Sequence, residues 1–296
     1  MTRLALLIAG LLLSFSGALH AQAATDEAPT ARPAAAPEPG TLPAPAASGL
    51  SPLDALHAPF HSLLQRHVRK GKVDYDALAE ERQTLRSYLA SLAEASLDDA
   101  SRDETIAVWV NAYNASTLEL ILDHWGRIDS IKDISSGKRW KAERWTVAGR
   151  RVSLDDMEHE VLRPMGEPRV HFALVCASIS CPDLRSEAYL GATLDAQLAD
   201  ATARFLSDRS KGLTIGTSKG FFGGTNHELT LSKIFDWFEE DFEREGGSVV
   251  DFVLAHGPAD AVAFVTRHRD DLDVEHLDYD WSLNHDPARR RLTGRR

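Results

Sequence analysis

The stretch DETIAVWVNAYNASTLELILDHW, residues 103–125, decides the fold. Ile106, Val110, Tyr113, Leu118 and Ile121 recur in it at helical spacing, which predicts one long helix. Ser101 or Asp103 stands where an N-cap belongs. On the N-terminal side, residues 52–69 carry Leu53, Leu56, Phe60, Leu63 and Leu64 at the same period and predict a helix ended by Lys70-Gly71-Lys72. Val73-Asp74-Tyr75 reads as a short extended link, and residues 82–95 as a second helix.

On the C-terminal side, SLDDMEHEVLRPM starts a helix at residue 153. Ser153 and Asp156 form an N-terminal cap pair, and the helix stops near Pro164. RVHFALVC, residues 169–176, is nearly all apolar and predicts a buried strand. Residues 193–208 return to helix. Short strands at 213–215 and 228–231 flank FFGGTN, and helices follow at about 232–244, 247–255 and 259–268. The closing VEHLDYDWSL is aromatic and extended. The sum is an α+β, mainly helical single domain with a few short strands forming a small sheet. No βαβ alternation appears, and no GxGxxG or P-loop pattern follows a strand.

The start of the chain has a different character. Arg3, the apolar run Leu4–Leu13 and the small-residue end Ala21-Gln22-Ala23 form the three parts of a secretory signal peptide over residues 1–23. The run is shorter than the roughly 20 residues that span a bilayer, and no later stretch is long and apolar enough. Residues 24–50 are rich in Ala and Pro and read as a linker, which leaves 51–296 as the globular domain. The expected location is periplasmic or secreted. No cysteine lies near the cleavage site to carry a lipid. A net charge of −11 argues against nucleic acid as a partner. The arginines at 289–291 and 295–296 read as a solvated end. The expected partner is an unidentified small molecule or peptide, and no cofactor is expected.

Chemistry concentrates in RVHFALVCASISCPDLR, residues 169–185. It holds the only two cysteines, Cys176 and Cys181. Outside the cytoplasm two near cysteines are expected to pair, and Ser178, Ser180 and Pro182 favour the turn that a bridge needs. The alternative is a nucleophilic thiol, which needs a base or a positive neighbour. His171 and His159 are the candidate bases. Strand alternation would put His171 and Cys176 on opposite faces. Asp155 lies one turn before His159 and could orient it. Arg163 lies one turn after and could hold an anion. Asn111 and Asn114 share a helix face; they either bind loop backbone or line a polar pocket. Asp74-Tyr75 and the 278–281 stretch could supply paired carboxylates with aromatic platforms. His57, His61 and His67 lack a metal-ligand pattern and read as surface residues, so no metal site is expected.

Five blocks in order resemble those of a known family: WVNAYNA at 109–115, SIKDI at 130–134, SLDDMEHEVLR at 153–163, HFALVCASISCPDLR at 171–185 and YDWSLN at 279–284. The chain from about Ala55 to Asn284 resembles the bacterial and plant proteins grouped as domain of unknown function 547. The leucine-zipper segment of the plant members is not seen here. The resemblance implies no activity, but its blocks contain Asn111, Asn114, Glu158, His159, Arg163, His171, Cys176, Ser178, Cys181 and Arg185. Polar residues of several types in those blocks imply a site. On this reading Cys176 or Cys181 attacks and His159 or His171 acts as base. Asn111 or Asn114 orients the substrate or stabilises an oxyanion, and Glu158, Arg163, Ser178 and Arg185 bind it. The chemistry expected is thiol-dependent hydrolysis or acyl transfer. The rival is a non-catalytic binding or scaffold protein with a structural disulfide.

Overall fold

The long helix forms as its sequence requires. In the computed structural model, which describes residues 49–219, 223–244 and 247–286, it runs Arg102–His124. Ser101 caps it: its hydroxyl accepts from the Glu104 amide at 3.2 Å, while the Glu104 carboxylate accepts from the Ser101 amide at 2.9 Å. Every residue from Ile106 to Leu122 is buried, so this helix has no solvent face and serves as the post around which the rest packs.

Ahead of it come α1 (Pro52–Leu56), α2 (Ala58–His67), the ladder of β1 (Val68–Arg69) with β2 (Lys72–Val73), α3 (Tyr75–Glu80) and α4 (Arg82–Ala93); the long helix itself is α5. The expected single helix over 52–69 is broken at His57, which is followed by Ala58 and Pro59. His57 and His67 are buried, not on the surface. His57 Nδ1 lies 2.8 Å from the Tyr88 hydroxyl, and His67 Nε2 lies 2.8 Å from Glu81. Phe60, Leu63 and Leu64 of α2 meet Leu85, Tyr88 and Leu92 of α4, and α4 in turn packs on α5.

After α5 follow α6 (Ser136–Arg139) and the hairpin β3 (Trp145–Val147) with β4 (Arg150–Val152). The stretch read as a helix from Ser153 is wound more widely. Over Asp156–Leu162 it is a π-helix, closed by the Arg163 amide on the Glu158 carbonyl five residues back. Its start is the pair expected: Ser153 and Asp156 exchange bonds of 2.8 and 3.1 Å.

The remainder is α7 (Leu194–Ser207), β5 (Leu213–Lys219), β6 (Thr225–Leu231), α8 (Lys233–Trp237), α9 (Glu239–Phe242), α10 (Val249–His256), α11 (Ala259–His268) and β7 (Leu272–His276). β5 pairs antiparallel with β6 in the register Leu213↔Leu231. β7 joins the far edge of β6 in parallel, Leu229↔Val274. The fold is therefore α+β and mainly helical. The apolar residues form two clusters. One surrounds α5. The other is rich in phenylalanine and gathers Phe172, Phe205, Phe235, Phe242 and Phe252 around the three-stranded sheet.

Among the described residues no helix is long and apolar enough to cross a membrane. The expected signal peptide, most of the expected linker and the C-terminal arginines lie outside the described residues.

Candidate functional site

One expectation of the sequence fails in an informative way. Residues 169–176 are not a strand. Pro168–Phe172 is a 3-10 turn, and the extended residues after it pair with no strand. Apolar content predicted burial correctly, but burial needs only satisfied peptide groups, and a side chain satisfies them here. The Asn114 amide donates to the Ala173 carbonyl at 2.9 Å and accepts from the Val175 amide at 2.9 Å, standing in for a neighbouring strand. Without strand alternation, the argument that His171 and Cys176 face apart no longer holds, and both line the same pocket.

Beyond Cys176 the chain turns sharply. Ala177 takes a left-handed conformation at φ 63°, uncommon for a residue with a Cβ. The loop is then stitched to the closing segment. Ile179 and Ser180 donate to the carbonyls of Ser282 and Asp280 at 2.8 and 3.1 Å, and the Asn284 amide donates to Ala177 at 2.9 Å. These bonds fix the position of Tyr279 and Trp281 against the cysteine loop.

The pocket, about 190 Å³, opens at the seam between the two apolar clusters. Glu158 and His159 reach it from the π-helical turn, Asp155 from the residue before that turn, Tyr113 from α5, and His171, Cys176 and Cys181 from the loop. Its walls are largely aromatic. Tyr279 and Trp281 pack at 4.5 Å between ring centres with their planes tilted by 47°, and Trp237 packs on both at 4.8 and 5.5 Å.

At the floor lie two free thiols with their sulfurs 3.1 Å apart, so no disulfide joins them. Cys181 is buried and Cys176 is half-buried. Donors converge on the Cys176 sulfur: the Cys181 thiol, the Ser178 hydroxyl at 2.8 Å, the Tyr279 hydroxyl at 3.4 Å and the Ser178 amide. Together they hold the Cys176 thiol down at about 6, with Cys181 the largest contributor and burial opposing. Cys181 moves the other way: burial first, then the neighbouring Cys176 sulfur, push it well above the ordinary thiol value. Its single proton can reach the Leu174 carbonyl at 3.7 Å or the Cys176 sulfur at 3.1 Å. The nearer acceptor carries the charge and forms the stronger bond. The two opposite shifts favour the anion on Cys176 and the proton on Cys181.

Glu158 is the second tuned group. Burial, followed by the charge on Cys176, raises its carboxyl to about 7, against a hydrogen bond from Tyr113 that favours the anion. The histidines are engaged elsewhere. His171 donates from Nε2 to Asp241 at 2.8 Å and stacks on Phe238 at 4.1 Å. Burial lowers its pKa against the pull of Asp241. A guanidinium only donates, so His159 Nδ1 accepts from Arg163 at 2.8 Å. Its remaining N–H faces Asp155 at 3.8 Å. Arg163 is itself paired with Asp241 and Glu240.

The candidate residues therefore divide. Glu158, His159, His171, Cys176 and Cys181 line one pocket, and the Ser178 hydroxyl bonds the Cys176 sulfur. Asn111, Asn114, Arg163 and Arg185 are not in its lining. Asn111 clamps the Tyr189 peptide with bonds of 2.7 and 2.9 Å, as Asn114 clamps residues 173–175. Arg185 is buried between Glu187 and Asp200, with its guanidinium over the Tyr189 ring. Tyr113 and Asp241 were not singled out as site residues, and Tyr279 entered only as part of the 278–281 carboxylate and aromatic stretch. The closing YDWSLN block was the available signal for Tyr279. Asp241 had none, because its partners lie 70 and 78 residues away. Among the described residues no metal-binding group of donors forms in this pocket.

Residues 97–206 match the model of a family described as "Protein of unknown function, DUF547". The chain carries a domain of this family. The matched residues of the DUF547 domain include both cysteines, Glu158, His159, His171 and Tyr113, whereas Tyr279 and the sheet lie beyond them. No curated protein and no solved structure was found to match the chain.

Proposed function

We propose that the pocket is the active site of a thiol-dependent enzyme in which Cys176 is the nucleophile and Cys181 the resolving thiol, and that its reaction is thiol–disulfide exchange. The supporting observation is the sulfur pair itself: the half-buried Cys176 sulfur is ringed by donors that favour its thiolate, and the buried Cys181 thiol lies 3.1 Å away. The Cys176 thiolate attacks one sulfur of a substrate disulfide, the S–S bond breaks, and the departing thiolate takes a proton from the Glu158 carboxyl. Cys181 gives its proton to Glu158 and attacks the Cys176 sulfur of the mixed disulfide, releasing the second substrate thiolate. The substrate disulfide is reduced and Cys176–Cys181 is oxidised, so electrons balance. A low thiol pKa stabilises the reduced form, which makes the Cys176–Cys181 disulfide an oxidant in the reverse direction. Export directed by residues 1–23 would suit that direction, because the domain would then work in oxidising surroundings. The aromatic walls favour a small apolar or aromatic group beside the reacting sulfur.

The test begins with the reduced protein and oxidised glutathione. The reading expects two thiols lost per chain. Cys181→Ser should stop at a glutathione adduct on Cys176, and Cys176→Ser should not react. Retention of both thiols under these conditions sinks the reading. Acyl transfer is the second reading, supported by the Glu158 carboxyl, a proton donor near neutrality beside the thiolate. It would take over if Cys181→Ser hydrolysed an activated thioester as fast as the parent while no exchange occurred.

A further inference from the structure

A second cluster lies on the sheet, built from three chain segments that the pocket does not use. His227 is on β6, His268 is the last residue of α11, and Asp271 sits in the turn that enters β7. The parallel pairing His227↔Leu272 sets the strand histidine beside that turn, and the short link from α11 brings His268 over it. The two imidazole rings stack with centres 3.6 Å apart and 17° between planes. The Asp271 carboxylate spans them: Oδ2 is 2.9 Å from His227 Nδ1 and Oδ1 is 3.9 Å from His268 Nδ1. One donor atom from each residue lies within 4.8 Å of the other two.

Metal–ligand bonds of about 2.0–2.2 Å place donors roughly 3.0–4.2 Å apart, depending on the angle at the metal. The three donors are near enough for a common ion, and turning the two imidazoles out of their stack would bring both in-plane lone pairs onto it. We infer that His227, His268 and Asp271 form a site for a divalent transition metal, zinc by its nitrogen and carboxylate donors, where sequence spacing gave no reason to expect one. Imidazole and carboxylate together select zinc, copper or nickel over calcium or magnesium. Three protein ligands leave a fourth position for water or an added group. An ion there cross-links β6, the end of α11 and the entry to β7.

The test is titration of tag-free protein with zinc chloride, followed by calorimetry. It is run on the Cys176→Ser, Cys181→Ser double variant so that the thiol pair cannot supply ligands. One zinc per chain is expected. His227→Ala and His268→Ala should each weaken binding about tenfold or more, the lower bound set by losses seen when even supporting residues of a metal site are removed. Asp271→Asn should weaken it less than either. The same titration with cobalt should give visible absorption bands that both histidine variants lose, and circular dichroism confirms that each variant is folded. Absence of zinc binding, or binding unchanged in both histidine variants, overturns the site. Neither result bears on the thiol chemistry.

Discussion

The Tyr279 hydroxyl lies 3.4 Å from the Cys176 sulfur across 103 residues of chain. Tyr279 itself stays protonated, because burial and the neighbouring sulfur charge raise its pKa far above the ordinary phenol value. It can therefore only donate to the thiolate. Alkylation of Cys176 by iodoacetamide should rise with pH around a midpoint near 6, the value to which its donors lower it. Tyr279→Phe removes one donor to a charged group, so the midpoint should climb by about one pH unit. An unchanged midpoint in the variant would remove Tyr279 from the thiolate's support.

Glu158 gives the pH dependence of stability. Its carboxyl is raised from 4.5 to about 7 in the folded protein. Below pH 4.5 both folded and unfolded chains hold the proton and nothing is lost. Between about 4.5 and 7 the unfolded chain ionises first, and stability falls as pH rises. Above 7 the loss is complete. Glu158→Gln keeps the neutral shape at every pH. Its melting temperature should equal the parent's near pH 4 and exceed it increasingly up to pH 7, with no further divergence beyond. The same variant should slow the exchange reaction at neutral pH. Thermal melts from pH 4 to 9 on both proteins check the stability claim, and a parallel pair of curves would defeat it.

How much of this was readable beforehand depends on the range of the interactions. α5 was legible because period and cap are local, and so were α4, α7 and α11. The segment 169–176 was misread because an apolar run reports burial, not the identity of its hydrogen-bond partner, and that partner is an asparagine 61 residues earlier at Val175. The helix from Ser153 was legible but its wider winding was not, because the seven residues Asp156–Leu162 are too few to separate one helical period from another. Cys176, Cys181, Glu158 and His171 were found as unusual residues in one or two blocks. Their meeting with Tyr279, Trp237 and Phe238 arises from packing between the two apolar clusters, which no local pattern encodes.

The two helix asparagines separate structure from catalysis. Asn114→Ala leaves the Ala173 carbonyl and the Val175 amide buried without partners, at a cost of roughly 2–4 kcal/mol. Asn114→Asp restores an acceptor for Val175 but no donor for Ala173, so it should recover only part of the loss. Chemical denaturation measures both. If the asparagine is purely structural, Cys176 alkylation per folded molecule should stay near the parent rate in each variant. A large fall in that rate with little loss of stability would instead put Asn114 in the chemistry.

Asp241 ties the wall of the pocket to its histidine. The carboxylate accepts from His171 at 2.8 Å, Arg163 at 2.5 Å and Arg244 at 2.6 Å, and these partners hold it well below the usual carboxylate range. The ion is buried, and its removal leaves Arg163 with Glu240 as its remaining carboxylate partner, so Asp241→Asn should cost about 1.5–3 kcal/mol. The same substitution has a signature that simple destabilisation does not. Asp241 is what opposes burial at His171, and with its charge gone burial and the Arg163 charge act unopposed, so the His171 pKa should fall further. Proton NMR of the imidazole C–H signals across pH 4–8 measures this directly. A His171 midpoint that stays put in the folded variant would mean that Asp241 holds the histidine by geometry alone, and that the charge serves Arg163.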